Sequence, residues 1–500
     1  MSSSIQEVLK LSKEAASFHS LDSHQECTNR LGLLRQKLLE IDRNELDSSV
    51  IWNLTAIIKG EQLKWTDSST ALTDSLETAA QSLFCLRNAF VNCSRIQLMV
   101  AETDELREIL LACVKWVFYS GQGKSFDTAG SEEKEDGCGI PSLYAKTSQL
   151  AVASITCLGN LVAANTETRK IMWPYLQPQI REMLGYHEES VSYLSAMVIF
   201  NCILEKRLRE ELCKCDEIDN VISDLLTLYM NGETSSEKAL CFVLYTLEVL
   251  LCCEGQVNNT WKGLSGKQQL LVLDILSSIL EGKSGSKCGS LSPSSVTYLL
   301  GIFKNEADKI LRTLTRELED HTALVIVRLL NFLCSLAASE YWSPTLREDT
   351  SLLITVVSLL QCLNDIGGVE ENGFSRLGLD ELPDEEKLVE AETHPAYGFK
   401  RDMIRLIANL VYRHKANQDT VREMGGITLV LESSQFDARN PAIKEVAIYA
   451  IRNLLEGNLE NQEIVKKLEY RGSAENQAMR ISQEDEMVVI QGSSNSDDQL

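Results

Sequence analysis

An apolar run interrupted by one asparagine returns seven times along this chain. It reads VIWNLT at Asn53, CLRNAF at Asn88, CLGNLV at Asn160, VIFNCI at Asn201, RLLNFL at Asn331, LIANLV at Asn409 and AIRNLL at Asn453. The intervals are 35, 72, 41, 130, 78 and 44 residues. They fall near one, two, one, three, two and one multiples of a unit of about 35–44 residues, the period of armadillo and HEAT repeats. A helix pair of that size cannot bury its apolar face alone, so such units must stack on one another.

Composition agrees. Leu and Ile recur at three- and four-residue spacing, the mark of amphipathic helices. The 8 Pro and 27 Gly among 500 residues are few for an all-β protein, and 44% hydrophobic residues suffice for a sizeable core. The expected fold class is all-α, an armadillo/HEAT-like α–α superhelix (solenoid).

Within one unit the local signals are specific. Ile404, Ile407, Leu410 and Val411 make one helix face. Asn417 reads as an N-cap with Asp419 in the first turn, and Gly425-Gly426 ends that helix in a left-handed cap. Asn440-Pro441 reads as the start of the next helix, and Asn461 repeats Asn417 at the same offset from its motif asparagine, as Thr168 does after Asn160.

The expected domains are helical repeats over 1–363 with loops near 119–143 and 281–295, an acidic linker at 364–398, a helical C-terminal domain at 399–470 and a flexible tail at 471–500. The linker carries ten acids against Arg376 and Lys387. A block of that kind reads first as a solvated connector and second as a docking strip for a basic partner.

A formal charge of −24 speaks against nucleic acid or anionic membrane as the main partner, because phosphate binding needs concentrated Lys and Arg. The 15 Cys are odd in number and mostly lie in apolar stretches (Cys85, Cys113, Cys157, Cys202, Cys241, Cys334 and Cys362), as thiols kept reduced in the cytoplasm do. The N-terminus lacks the apolar core of a signal peptide. The run 239–253 holds Glu248 and is 15 residues long, too short to span a bilayer, so no membrane insertion is expected.

Catalytic motifs fail on inspection. GQGKS at 121–125 has Phe118 where a phosphate-binding loop needs glycine, and GKS at 282–284 has Ser277 there. The six His are scattered, with no metal-ligand spacing. Asp384, Glu385 and Glu386 lie in the acidic linker, without a pocket to separate their pKa values. No enzyme activity, metal or cofactor is expected.

The pieces GFKRDMIRLIANL, NQDTVREMGGI and IYAIRNLLEGNLENQE within 398–469 closely resemble the C-terminal domain of the ataxin-10 family. That resemblance implies an armadillo-like, non-enzymatic scaffold or adaptor that binds other proteins and self-associates. It implies a role in neuron survival and neurite outgrowth, in cytokinesis and at the cilium base. It also implies a cytoplasmic and perinuclear location, with the centrosome, cilium base and midbody as further sites.

The recurrent asparagines leave two readings open. Asn88, Asn160, Asn201, Asn409 and Asn453 are either joints that satisfy backbone groups between helices or a ladder that grips an extended partner. In peptide-binding armadillo proteins a Trp one turn earlier completes such a ladder. Here that position holds Ser49, Phe84, Thr156, Met197, Val327, Arg405 and Tyr449, without a Trp. The ladder reading makes the chain an adaptor for basic peptide cargo in an acidic groove. The joint reading moves function to the surfaces, above all the terminal one. There Ile448, Ile451 and Leu455 are expected to stack near Ile404, Ile407 and Val411, leaving the outer side of the last unit to a partner.

Overall fold

The computed structural model describes residues 3–20, 23–65, 71–120, 140–232, 237–286, 290–315, 321–369, 372–378, 394–467, 480–484 and 487–491. Most of the expected loop at 119–143, including GQGKS and the segment 121–139, lies outside these residues, as do 287–289 and 379–393.

The chain divides into two units, one of residues 1–253 with 285–289 and one of 254–284 with 290–500. In the first, the helices His24–Glu40, Ala71–Phe90, Ile140–Val162, Glu189–Ile203 and Glu237–Leu251 each pack on the next. In the second the same is true of Gly266–Leu280, Thr322–Ala338, Phe399–Val411 and Ile443–Leu455. Shorter helices such as Thr166–Leu176 and Lys415–Glu423 return the chain between them. Each unit is thus an all-α stack of the armadillo/HEAT kind, held by neighbour-to-neighbour contacts.

The core of each unit is largely apolar. Leu54, Leu83, Leu158, Ile199 and Leu247 are buried in the first unit, and Phe303, Leu329, Phe332, Phe399, Leu410 and Leu454 in the second. Thiols fill gaps among them: burial pushes Cys85, Cys113, Cys202 and Cys334 up to about 12, so none is a nucleophile at neutral pH. Among the described residues one helix, Thr350–Val369, is long and apolar enough to cross a bilayer. Its Leu352, Leu353, Val356, Val357, Leu360 and Leu363 are all buried in the second unit.

Two segments differ from the sequence expectation. The helix Thr350–Val369 runs into the expected linker, and residues 372–378 fold as a strap on the turn at 437–439. Leu377 N donates to Asp437 Oδ1 at 3.1 Å, and Ala438 N donates to Leu377 O at 2.9 Å. Phe374 drives this, since it is 2% exposed and anchors a segment whose charge suggested solvent. In the expected tail, Arg480–Glu484 pairs antiparallel with Met487–Gln491, in register Ile481 to Ile490. The β-branched run Val488-Val489-Ile490 suits that pairing.

Candidate functional site

Three inner-helix asparagines make the same bond. Asn160 Nδ2 donates to Arg87 O at 3.0 Å, Asn201 Nδ2 to Gly159 O at 3.4 Å and Asn453 Nδ2 to Ala408 O at 2.9 Å. In each case the acceptor is the residue just before the motif asparagine of the preceding repeat. Asn88 Nδ2 reaches Arg35 O at 3.0 Å, and Asn409 Nδ2 reaches Cys334 O at 3.4 Å. Asn88 and Asn453 are buried, while Asn160, Asn201 and Asn409 are half-buried. All five amide groups therefore engage a neighbouring helix or its connection, the geometry of joints.

The connection after four of the five, all but Asn201, is also shared. Four residues on, Asn92, Ala164, Arg413 and Gly457 all take positive φ, at 54°, 53°, 52° and 72°. This left-handed residue turns the chain into the next helix. Its N-cap comes one residue later, at Asn165, His414 and Asn458, each accepting from a backbone N–H three residues on.

The expected caps Thr168, Asn417 and Asn461 are thereby corrected to the third helical position. Asn417 and Asn461 instead turn inward: Asn417 Nδ2 donates to Leu410 O and Arg347 O, both at 2.9 Å, and Asn461 Nδ2 to Leu454 O at 2.8 Å. Asn440-Pro441 does not start a helix either. The next one begins at Ile443 after Ala442 at φ 60°, and Asn440 Oδ1 accepts from Arg401 N at 3.2 Å.

A further joint residue stands nine positions after the motif asparagine and carries no apolar signature. Gln97 Nε2 reaches Phe90 O at 3.0 Å, Asn160 O at 2.8 Å and Ala163 O at 3.2 Å. Gln418 Nε2 repeats this against Val411 O at 3.4 Å, Asn453 O at 2.9 Å and Glu456 O at 3.2 Å. Arg169 and Gln462 make the first of these bonds, to Val162 O and Leu455 O, each at 2.9 Å. The carbonyls at a helix C-terminus have no partner in their own helix, and these side chains supply one. The constant offset of nine was the signal in the sequence.

At the terminal pair the apolar face lies on the other side from that expected. Ile443, Ala447, Ala450 and Leu454 are buried against Phe399–Val411. Ile448 is 58% exposed, and Ile451 and Leu455 are half-buried, so these three line the outer surface. The reason is volume: the close approach of the two helices selects the alanines for the inner face. Leu459 at 77% and Tyr449 at 43% extend the exposed patch. Its charged neighbours are Lys444 and Glu445 at one end of the helix, and Arg452 and Glu456 at the other.

Among the described residues no group of three His, Cys, Asp or Glu could hold a metal ion. Asp402 is buried but held by Arg401, with contacts of 2.9 and 3.0 Å.

Residues 399–494 match the spinocerebellar ataxia type 10 protein domain, a homo-association domain by its label. Ataxin-10 of Macaca fascicularis is 26% identical over 411 residues, covering 81% of this chain and 78% of that protein. The ataxin-10 homolog of Dictyostelium discoideum is 46% identical over 83 residues, or 17% of this chain and 14% of that one. A solved structure of an engineered protein covers 90% of this chain and 98% of its own at 13% identity, with a TM-score of 0.28.

Proposed function

From a chain similar to ataxin-10 over 81% of its length, with that family's C-terminal domain matched at 399–494, we propose a non-enzymatic interaction scaffold that self-associates through its terminal repeat. The observation that carries this reading is the exposed outer side of Ile443–Leu455, with Ile448 58% exposed and Leu459, at the start of the next helix, 77% exposed. An apolar end of a helical stack is costly in water unless capped or covered.

The charge order favours a second copy as the cover. A two-fold antiparallel crossing of Ile443–Leu455 on itself brings Glu445 toward Arg452 and Lys444 toward Glu456, an isologous contact. The cellular roles implied by the ataxin-10 resemblance belong to the same proposal: neuron survival and neurite outgrowth, cytokinesis and a place at the cilium base. So does a cytoplasmic and perinuclear location.

Sedimentation velocity of the full chain tests the scaffold reading. Association that strengthens between low and high micromolar concentration is expected, and a strictly monomeric profile at high micromolar concentration overturns it.

A further inference from the structure

The strap at 372–378 roofs a cavity of about 290 Å³ in the second unit, at the lower end of the range for small-molecule pockets. Its walls include Phe374, Gly367 and Ile443 on the apolar side and Asn364, Ser433 and Gln435 on the polar side. Lys400 lines it from the first turn of Phe399–Val411 and is only 8% exposed. Within the second unit it makes no hydrogen bond or ion pair with any described residue. Buried lysines are rare and are ordinarily paired.

The neighbouring carboxylate relieves it only in part: the charge of Asp437 favours the ammonium, but burial outweighs it. Asp437 Oδ1 accepts from Leu377 N at 3.1 Å and Arg439 N at 3.0 Å, and Oδ2 accepts from Asn440 Nδ2 at 2.8 Å. Asp437 therefore holds the strap down. The helix start adds its own positive end to the site, which disfavours a cation there further. Burial pushes the Lys400 ammonium down to about 8. Arg376, exposed on the strap, brings a second cation to the rim.

A lysine with a buried stem and no ion pair to a described residue, a helix N-terminus and a rim guanidinium line one cavity, and that is the chemistry of an anion site. The acids nearby limit its charge. Asp437 and Glu432 also line the cavity, and they oppose a doubly charged phosphate more than a single carboxylate. We propose that this pocket binds a small monocarboxylate, its carboxylate on Lys400 and Arg376 and its apolar part against Phe374 and Ile443. The site is separate from the terminal face, so its failure leaves the scaffold reading untouched.

The test is calorimetric titration of the full chain with propionate, benzoate and 4-methylpentanoate, their neutral amides, and phosphate. Binding of at least one carboxylate is expected at least tenfold tighter than its amide, with that preference lost in Lys400→Met and weakened in Arg376→Gln. Lys400→Met keeps the wild-type helical signal, because a thioether suits the site better than an unpaired charge. If it does not fold, the rim variant Arg376→Gln decides alone. The proposal is overturned if no carboxylate binds, if the amides bind equally well, if phosphate binds as tightly, or if the folded variants bind unchanged.

Discussion

The Nδ2 of Asn453 donates to the carbonyl oxygen of Ala408 at 2.9 Å, joining the last described inner helix to the one before it. Ala408 sits in the last turn of Phe399–Val411, where carbonyls lose their intrahelical partner, and the asparagine supplies one. Asn453 is 1% exposed, and water cannot take over the amide it leaves behind. Asn453→Leu should therefore destabilise the chain by about 1–3 kcal/mol, from lost bonding and from a larger side chain forced between packed helices. Urea unfolding measures this, and a change below about 0.5 kcal/mol would contradict the joint.

Gln418 makes three carbonyl contacts across the same joint. Gln418→Met keeps the shape and removes every donor, so a loss of about 1–3 kcal/mol is expected. Hydrogen exchange should show Leu459–Lys466 opening more readily in this variant than in wild type. Equal protection would mean that the contacts carry little.

The left-handed turn residue offers a gain. Ala164 holds φ 53° where Gly457 holds φ 72° in the equivalent turn. An L side chain in that region costs about 1–2 kcal/mol, and the added freedom of glycine in the unfolded chain returns roughly half to one kcal/mol. Ala164→Gly should be neutral or stabilising by up to about 1 kcal/mol, whereas Gly457→Ala should destabilise by a similar amount. Thermal unfolding of both variants distinguishes this from general intolerance of the turn.

Lys400 sets a pH dependence. Its folded pKa of about 8 lies below its ordinary 10.5, so between these values the unfolded chain binds a proton that the folded chain has released. Wild-type stability should then rise with pH across that window relative to Lys400→Met, which cannot titrate. The advantage of the variant should be largest below pH 8, at about 3 kcal/mol or less, and should vanish above pH 10.5. Parallel denaturant curves at pH 7 and pH 10 check it, and a constant difference would contradict it.

Charge order tests the second copy. Glu445→Arg and Arg452→Glu should each weaken self-association by roughly three- to thirty-fold, because like charges then meet across the two-fold axis. The double variant restores opposite signs and should recover most of the loss. Sedimentation of all three at equal concentration is decisive, since a partner other than a second copy gives no reason for recovery.

The repeat was legible because it is local: an asparagine in an apolar helix returns at a period that the sequence itself displays. The caps were misplaced by three residues because Asn417 and Asn461 have cap chemistry at either position. What selects His414 and Asn458 is the left-handed residue before each, and Arg413 gives no sign of that role as glycine would. Partner carbonyls were invisible for another reason. Arg87 lies 73 residues from Asn160, and no local pattern says which helix will be its neighbour. The inner face of the terminal helix was misjudged because volume outranked hydrophobicity, choosing Ala447 and Ala450 over Ile448 and Ile451. Lys400 reads in sequence as an ordinary basic residue. Its burial depends on long-range packing: it shares a cavity wall with Phe374, from a stretch dominated by acids.

Because the joints link neighbouring repeats, the Ile443–Leu455 and Leu459–Lys466 pair has a stitched seam toward Phe399–Glu423 and, among the described residues, none on its other side. A pair coupled on one side only is missing one of two interface energies, so it should melt before the described repeats that are coupled on both. A body that supplies that second seam then does more than dock. It lends the pair the cooperativity an interior repeat has by birth, so order at the chain's end becomes a function of how much partner is present.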